Sequence, residues 1–310
     1  MSVPATMNNK QDTEREFASP LAKFFLQEDL NFLVTNRLPR GLLTQLAGWF
    51  FAIRNRQLTR LGLAVWRLFA DDLRLEESKN TSFESMQDCF TRELKVGARS
   101  VDQAADVLTS PCDAIIGAHG QISDAELFQI KGSPYSLVDL TGDASIVERY
   151  RHGFFITLRL QANMYHRFHA PCAGTVRRVT YISGDTWNVN PIALKRVERL
   201  FCKNERAVLE IDDLDKSFPN VHVALIPVGA ILVASIRFNF VDTVGQVSRR
   251  KRPIRQEFGC DFSFMKGDEL GRFEAGSTIL LLASGPLEFF SNIVENEIIR
   301  MGMPLMRVKQ

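Results

Sequence analysis

The chain has almost no excess of charge. Its 38 lysines and arginines against 36 aspartates and glutamates leave a formal net charge of +2, so no global field draws it to nucleic acid. It is poor in cysteine. Cys89, Cys112, Cys172, Cys202 and Cys260 are odd in number and include no C-x-x-C pair, which fits reduced thiols in a cytosolic setting better than a disulfide framework. No apolar run approaches the ~20 residues that span a bilayer; LAGWFFAI, residues 46–53, is far too short. The opening stretch MSVPATMNNKQDTEREF has neither the apolar centre of a secretory signal nor the arginine-rich, acid-poor look of a transit peptide. Internal repeats and low-complexity segments are lacking too. What is left is a chain of 310 residues, 45% hydrophobic, with material for one large or two modest domains.

The chain divides by texture. Residues 1–18 read as a disordered tail and residues 19–88 as a helical segment. Ser19 and Pro20 supply an N-cap and a first-turn proline, and Pro39 separates one helix from the next. Between residues 37 and 74 seven arginines, against only Asp71 and Asp72, are interleaved with Leu, Trp and Phe. Helices of that kind lie in a bilayer interface, with the apolar face among acyl chains and the cations at anionic headgroups. They also occur as a pair packed on their own domain. Trp49, Phe50 and Phe51 in a row cover most of a helix circumference, so apolar contact on more than one face is expected.

From about Phe90 the pattern changes to short apolar runs broken by Gly, Pro, Asn and Asp. FFITLRL (154–160), GTVRRVTYI (174–182), RAVLEI (206–211), VHVALIPVGAILVASI (221–236) and STILLLA (277–283) read as strands. There is no steady alternation with long helices. The expected fold is therefore α+β: a helical N-terminal membrane-associating segment, then a mainly antiparallel, barrel-like β domain over residues 89–310.

Four stretches hold groups that can do chemistry. RFEAGSTILLLASG (272–285) places Gly276 and Ser277 at the mouth of an apolar strand, as a turn or as a reactive peptide bond. NMYHRFHAPCAGTV (163–176) carries His166 and His169 three apart, with Cys172 following. That spacing suits structural histidines, acid–base work, or three ligands of a metal site that lacks an evident fourth. LTSPCDAIIGAHG (108–120) puts Asp113 in a turn ahead of Ile115 and Ile116, either as an ordinary turn residue or as a carboxylate that orients a histidine. KGDELGRF (266–273) is a glycine-punctuated approach to the Gly276–Ser277 bond, able to hold it in a strained turn.

Taken in order, FTRELKVGAR (90–99), SPCDA (110–114), KGSPYSL (131–137), YHRFHAP (165–171), NERAVLEI (204–211), VGAILVASI (228–236) and KGDELGRFEAGST (266–278) resemble the phosphatidylserine decarboxylase family. The likeness begins at LLTQLAGW (42–49) and covers nearly all the chain beyond residue 18. It implies a proenzyme that cuts itself at Gly276–Ser277 into chains 1–276 and 277–310, with Ser277 becoming a covalent pyruvoyl group in place of pyridoxal phosphate or a metal. Ser277 is then the nucleophile, His169 its base, Asp113 the carboxylate that holds His169, and His166 a group for headgroup binding or proton transfer. The mature enzyme would decarboxylate phosphatidylserine to phosphatidylethanolamine through a Schiff base.

The same resemblance implies a homodimer. The arginine-rimmed helices favour peripheral seating on an anionic membrane, the lack of a targeting signal favours the cytoplasmic face of a bacterial inner membrane, and the balanced charge gives no role for nucleic acid. SRRKRPIR (248–255) is either a lipid-attracting cluster or a solvated loop. The chain departs from the family at Ala114, where Gly is usual, and at Met164, where Asp is common. Neither change removes a group of the relay. If they disabled cleavage, the chain would be an unprocessed lipid-binding protein of the same fold; a pyruvoyl decarboxylase of a soluble amino acid is the other alternative.

Overall fold

The fold was obtained as a computed structural model that describes residues 40–68, 70, 72–128, 133–230, 236–243, 255–274 and 277–309. The tail over 1–18, the Ser19–Pro20 cap, the Pro39 break, residues 248–254 of the basic cluster and Gly276 lie outside the described residues.

Among the described residues two twelve-residue helices come first, α1 (Arg40–Phe51) and α2 (Arg56–Arg67). Asn55 caps α2, its side chain accepting from the amides of Gln57 and Leu58, which satisfies two of the free N–H groups of the first turn. Thr59 is the buried polar residue of α2. Its hydroxyl bonds the Asn55 and Glu84 carbonyls and so ties α2 to the chain entering α3 (Met86–Phe90). Gly62 permits the close approach, because a Cβ there would lie 2.7 Å from the Met86 sulfur. The opposite face of α2 is uncovered: Leu61, Val65 and Leu68 are 63%, 47% and 76% exposed. On α1, Leu46, Trp49 and Phe50 are exposed as well. No helix among the described residues is long and apolar enough to cross a membrane. The division expected between residues 88 and 89 falls inside α3.

Strands dominate the rest. β1 (Val107–Thr109), β2 (Ala114–Gln121), β3 (Glu126–Phe128) and β4 (Pro134–Ser136) lead into helices α4 (Leu137–Thr141) and α5 (Ala144–Tyr150). Then follow β5 (Phe154–Leu160), β6 (Arg167–His169), β7 (Gly174–Ile182), α6 (Pro191–Arg196), α7 (Leu200–Lys203), β8 (Arg206–Ile211), β9 (His222–Gly229) and β10 (Ile236–Phe238). The last are β11 (Arg255–Phe264), β12 (Glu269–Phe273), β13 (Ser277–Ser284), β14 (Leu287–Phe289), β15 (Ile298–Ile299) and β16 (Pro304–Val308).

Eight strands form one sheet in the order β11-β7-β8-β9-β13-β5-β2-β15, antiparallel throughout. Among the described residues this sheet is open, with β11 and β15 as its edges, so the barrel-like expectation is corrected to an open sheet with packed faces. The reason is that both faces are covered. On one, α4 to α7 contribute Leu137, Leu140, Tyr150, Leu194 and Phe201 to a core with Leu280, Leu282 and Ile226. On the other, small sheets of order β10-β12-β6 and β1-β16-β14 bring Phe168, Phe273, Leu270, Leu305 and Met306 against Ile279, Leu281 and Leu158. A central strand buried on both faces reads as an unbroken apolar run, and all eight residues of β13 are buried.

Candidate active site

Ser277 opens β13, between Leu160 of β5 and Gly229 of β9. It is wholly buried, and among the described residues its hydroxyl has no hydrogen-bond partner. A buried hydroxyl without a partner costs about 1–3 kcal/mol, and beyond Thr278 β13 is apolar as far as Ser284, so nothing among the described residues repays a serine here. The side chain lies on the face shared with Leu160, Leu158 and Ile279, within the apolar core.

β6 and β12 bring the histidine stretch to the same place. They pair antiparallel, with His169 opposite Glu269 and Arg167 opposite Arg272. The pairing continues in a bond from the Phe273 amide to the His166 carbonyl (2.9 Å), three residues ahead of Gly276. Gly271 lets β12 pass between its neighbours, since a Cβ there would lie 2.2 Å from the Arg237 carbonyl oxygen. Arg167 locks the arrangement: it forks onto Glu269 at 2.9 and 3.0 Å and donates to the Thr91 carbonyl at 2.8 and 2.9 Å.

The two histidines are held in opposite tautomers. Nδ1 of His169 lies 2.8 Å from the Gly267 carbonyl oxygen, an obligate acceptor, so Nδ1 carries the proton. Nε2 then accepts from the Tyr165 hydroxyl at 2.9 Å. Gly267 sits at φ +87°, the left-handed region that glycine adopts at no steric cost, and its carbonyl rather than Asp113 fixes the tautomer. In His166 it is Nε2 that faces a carbonyl, that of Ala162 at 3.3 Å, and Nδ1 is buried without a partner among the described residues. Ala162 lies two residues beyond Leu160, the cross-strand partner of Ser277. Both imidazoles are uncharged near neutral pH. Burial lowers the pKa of each, and for His166, aided by the nearby Arg92 cation, it falls to about 3.

Asp113 is buried at the turn before β2, and its carboxylate does not reach either ring. Arg99 grips it through Nε at 2.8 Å and Nη2 at 2.5 Å, and the Met301 amide donates at 2.9 Å. Arg99 also meets Glu77 at 2.7 Å. Asp113 still lies near enough to His169 for its charge to favour the protonated ring. It acts there through the field and not through a hydrogen bond.

Sequence reasoning missed the working residues of FTRELKVGAR. Phe90 stacks on His166 at 3.9 Å between ring centroids, and Trp66 of α2 stacks on Phe90 at 6.0 Å. The guanidinium of Arg92, itself buried, donates to the carbonyls of Leu73, Cys89 and Asn163. The spacing of the stretch gives no hint of these contacts, since the partners lie up to 76 residues away. Among the described residues no three His, Cys, Asp or Glu side chains gather as a metal site. Burial pushes the Cys172 thiol up to about 12, so it stays protonated. All five cysteines are free.

Residues 86–307 match the family described as phosphatidylserine decarboxylase. The phosphatidylserine decarboxylase proenzyme of Chromobacterium violaceum is 36% identical over 286 residues, 89% of this chain and 98% of that protein. Those of Erwinia tasmaniensis and Vibrio cholerae are 33% and 34% identical, over 86% of this chain and 91% and 94% of their own lengths.

Proposed function

Because the chain belongs to the phosphatidylserine decarboxylase family, we propose that it is a proenzyme that cuts itself at Gly276–Ser277 and then converts phosphatidylserine to phosphatidylethanolamine. The observation that carries this reading is the buried, unpartnered hydroxyl of Ser277 at the head of an apolar strand.

In the proposed maturation the Ser277 Oγ bonds to the Gly276 carbonyl carbon as the peptide C–N bond breaks, leaving an ester and a free amine on residue 277. Loss of the Ser277 α-proton and rupture of its Cβ–Oγ bond release Gly276 as a carboxylate. The dehydroalanine left behind takes up water and loses ammonia, which gives the pyruvoyl group. The residues fit that product: its methyl replaces a hydroxyl that has no partner, on a face lined by Leu160 and Ile279. When formed, the group supplies the electron sink for decarboxylation that no ordinary side chain offers.

The chain's own residues have separate tasks in this proposal. His169 receives the Ser277 proton by way of the Tyr165 hydroxyl, which occupies its lone pair. Asp113, held by Arg99, favours the imidazolium that results. His166, neutral and with a lone pair at Nδ1, takes up the proton that the substrate ammonium sheds as its amine becomes nucleophilic, and returns it to the α-carbon after CO2 leaves.

The substrate's acyl chains sit in a bilayer, and the uncovered apolar faces of α1 and α2 support seating on that surface. Leu61, Val65 and Leu68 form a stripe flanked by Arg60 and Arg67, as an interfacial helix requires. A homodimer, preference for an anionic surface and placement at the cytoplasmic face of a bacterial inner membrane are parts of the proposal that rest on the family alone.

The test is substitution of the nucleophile. Ser277→Ala should give a single full-length, inactive chain, and appearance of the two fragments from that variant would refute self-cleavage by Ser277.

A further inference from the structure

Three consecutive residues grip the loop that carries the histidines. Phe90 lays its ring on that of His166, 3.9 Å between centroids and 19° between planes. The Thr91 carbonyl accepts two bonds from Arg167, at 2.8 and 2.9 Å, and Arg92 donates to the Asn163 carbonyl at 3.2 Å. Helix α2 supports this grip from behind. Thr59, Gly62 and Trp66 recur at the spacing of one helix face, and they meet in turn the Glu84 carbonyl, the Met86 side chain and the Phe90 ring. The planes of Trp66 and Phe90 are 15° apart, so Trp66, Phe90 and His166 form one continuous stack.

The other contacts of His166 leave its plane loosely set. The torsion that turns an imidazole about its Cβ–Cγ bond is broad and roughly two-fold. Backbone carbonyls of Ala162 and Gln161 attract the ring's proton, but the bond from Nε2 to Ala162 is 3.3 Å long, past the usual range of about 2.7–3.2 Å. Nδ1 has no partner among the described residues. We propose that Phe90, backed by Trp66 of α2, is a positioning residue that holds the His166 ring in the plane that decarboxylation uses. This rests on the reading of His166 as the proton carrier of that step. A proton carrier must come within about 2.6–3.2 Å of the atom it serves, and a ring free to turn meets that condition for only part of the time. Self-cleavage is assigned above to Tyr165 and His169, which are held by each other and by the Gly267 carbonyl, so it does not depend on the stack. The stack also ties His166 to the helix whose uncovered face, Leu61, Val65 and Leu68, is read above as a seat on the bilayer.

The experiment uses the mature protein and its Phe90→Leu, Phe90→Tyr and Trp66→Leu variants, each first examined by mass for the cut at Gly276–Ser277. Decarboxylation is followed by release of labelled CO2 from phosphatidylserine vesicles, which reads rates far below the parent's. Phe90→Leu stays apolar but loses the flat face. It should lower kcat about tenfold, the scale of a lost orientation, with KM and the rate of self-cleavage within about twofold of the parent. Phe90→Tyr keeps the ring and should retain most of the rate, and Trp66→Leu should fall between the two. His166→Ala should lower kcat further. Adding Phe90→Leu to it should then change kcat by less than about twofold, because a residue that acts through another has no effect once that partner is gone.

A parent rate in Phe90→Leu would overturn the proposal, as would a fall carried by KM, loss of its self-cleavage, or an equal fall in Phe90→Tyr. So would the same fall from Phe90→Leu with and without His166. A parent rate in Trp66→Leu would refute the backing by α2. If His166→Ala decarboxylates at the parent rate, the reading of His166 fails first. That outcome is distinct from a fall in His166→Ala without one in Phe90→Leu, which overturns the positioning role alone.

Discussion

Arg99→Gln, made in the Ser277→Ala background so that every chain is full length, isolates the charge cluster behind the site. Arg99 is 5% exposed in its side chain and bonds Asp113 through two nitrogens, with Glu77 at 2.7 Å as a second carboxylate. The hydrogen bonds to Asp113 and Glu77 more than offset the burial of the guanidinium and hold it protonated. Removing the cation leaves Asp113 with the Met301 amide as its remaining donor. Breaking one side of a buried pair costs about 3–5 kcal/mol. Glu77 softens this, because it is less deeply buried and keeps Arg300 at 3.2 Å and Arg74 at 3.4 Å.

The lower end, ~3 kcal/mol, is therefore expected, and urea denaturation followed by fluorescence should show a clear fall in midpoint. Arg99→Lys, which keeps the charge but loses the fork, should fall between. The pair Arg99→Met with Asp113→Leu should recover much of the loss, since no charge is then left buried alone. With Ser277 restored, Arg99→Gln should also slow self-cleavage, because Asp113 would no longer be held near His169. A variant within about 0.5 kcal/mol of its parent that cuts itself at the parent rate would refute the reasoning.

Three further outcomes follow from the same geometry. Tyr165→Phe should slow self-cleavage by about tenfold or more if the proton reaches His169 through the hydroxyl; an equal or faster rate in a time-resolved mass measurement would mean that His169 acts directly. His166 has a folded pKa of about 3 against about 6.5 for a free histidine. Its contribution is therefore complete above pH 6.5 and is lost as the unfolded chain takes up a proton between pH 6.5 and 3. At pH 5 that amounts to ~2 kcal/mol. Ser277→Ala should lose that much more stability between pH 7 and 5 than Ser277→Ala/His166→Asn, and equal losses would contradict a neutral buried His166. Leu61→Asp with Leu68→Asp should weaken flotation with phosphatidylserine vesicles while leaving self-cleavage intact, and unchanged flotation would remove α2 from the membrane contact.

Much of the β domain was legible because each strand carried its own signal. FFITLRL, GTVRRVTYI and RAVLEI are strands over the residues expected, and STILLLA runs one residue further, to Ser284. Openness of the sheet was not legible, because it depends on pairing such as β13 with β9 and β5, between residues at least 48 and 117 positions apart (277 − 229 and 277 − 160). Of KGDELGRF, expected as a glycine-punctuated approach to the Gly276–Ser277 bond, residues 269–273 are strand β12, paired with β6 and β10.

At the site, the residue types gave Ser277, His166, His169 and Asp113, but not their partners. A carboxylate and a histidine suggest each other by habit. Here Arg99 outbids the imidazole for Asp113, because a permanent cation with a two-nitrogen fork matches a buried carboxylate better than a neutral ring does. Phe90 and Trp66 read as core or surface residues in isolation. Only packing places Phe90 against His166 and Trp66 behind it.

The most direct measurement is the intact mass of the freshly purified protein together with sequencing of its smaller fragment. The account predicts chains 1–276 and 277–310, the second lighter by one ammonia than a chain beginning with serine and blocked to amine-specific reagents. A single chain of 310 residues, or a fragment that starts with an unmodified Ser277, would contradict it.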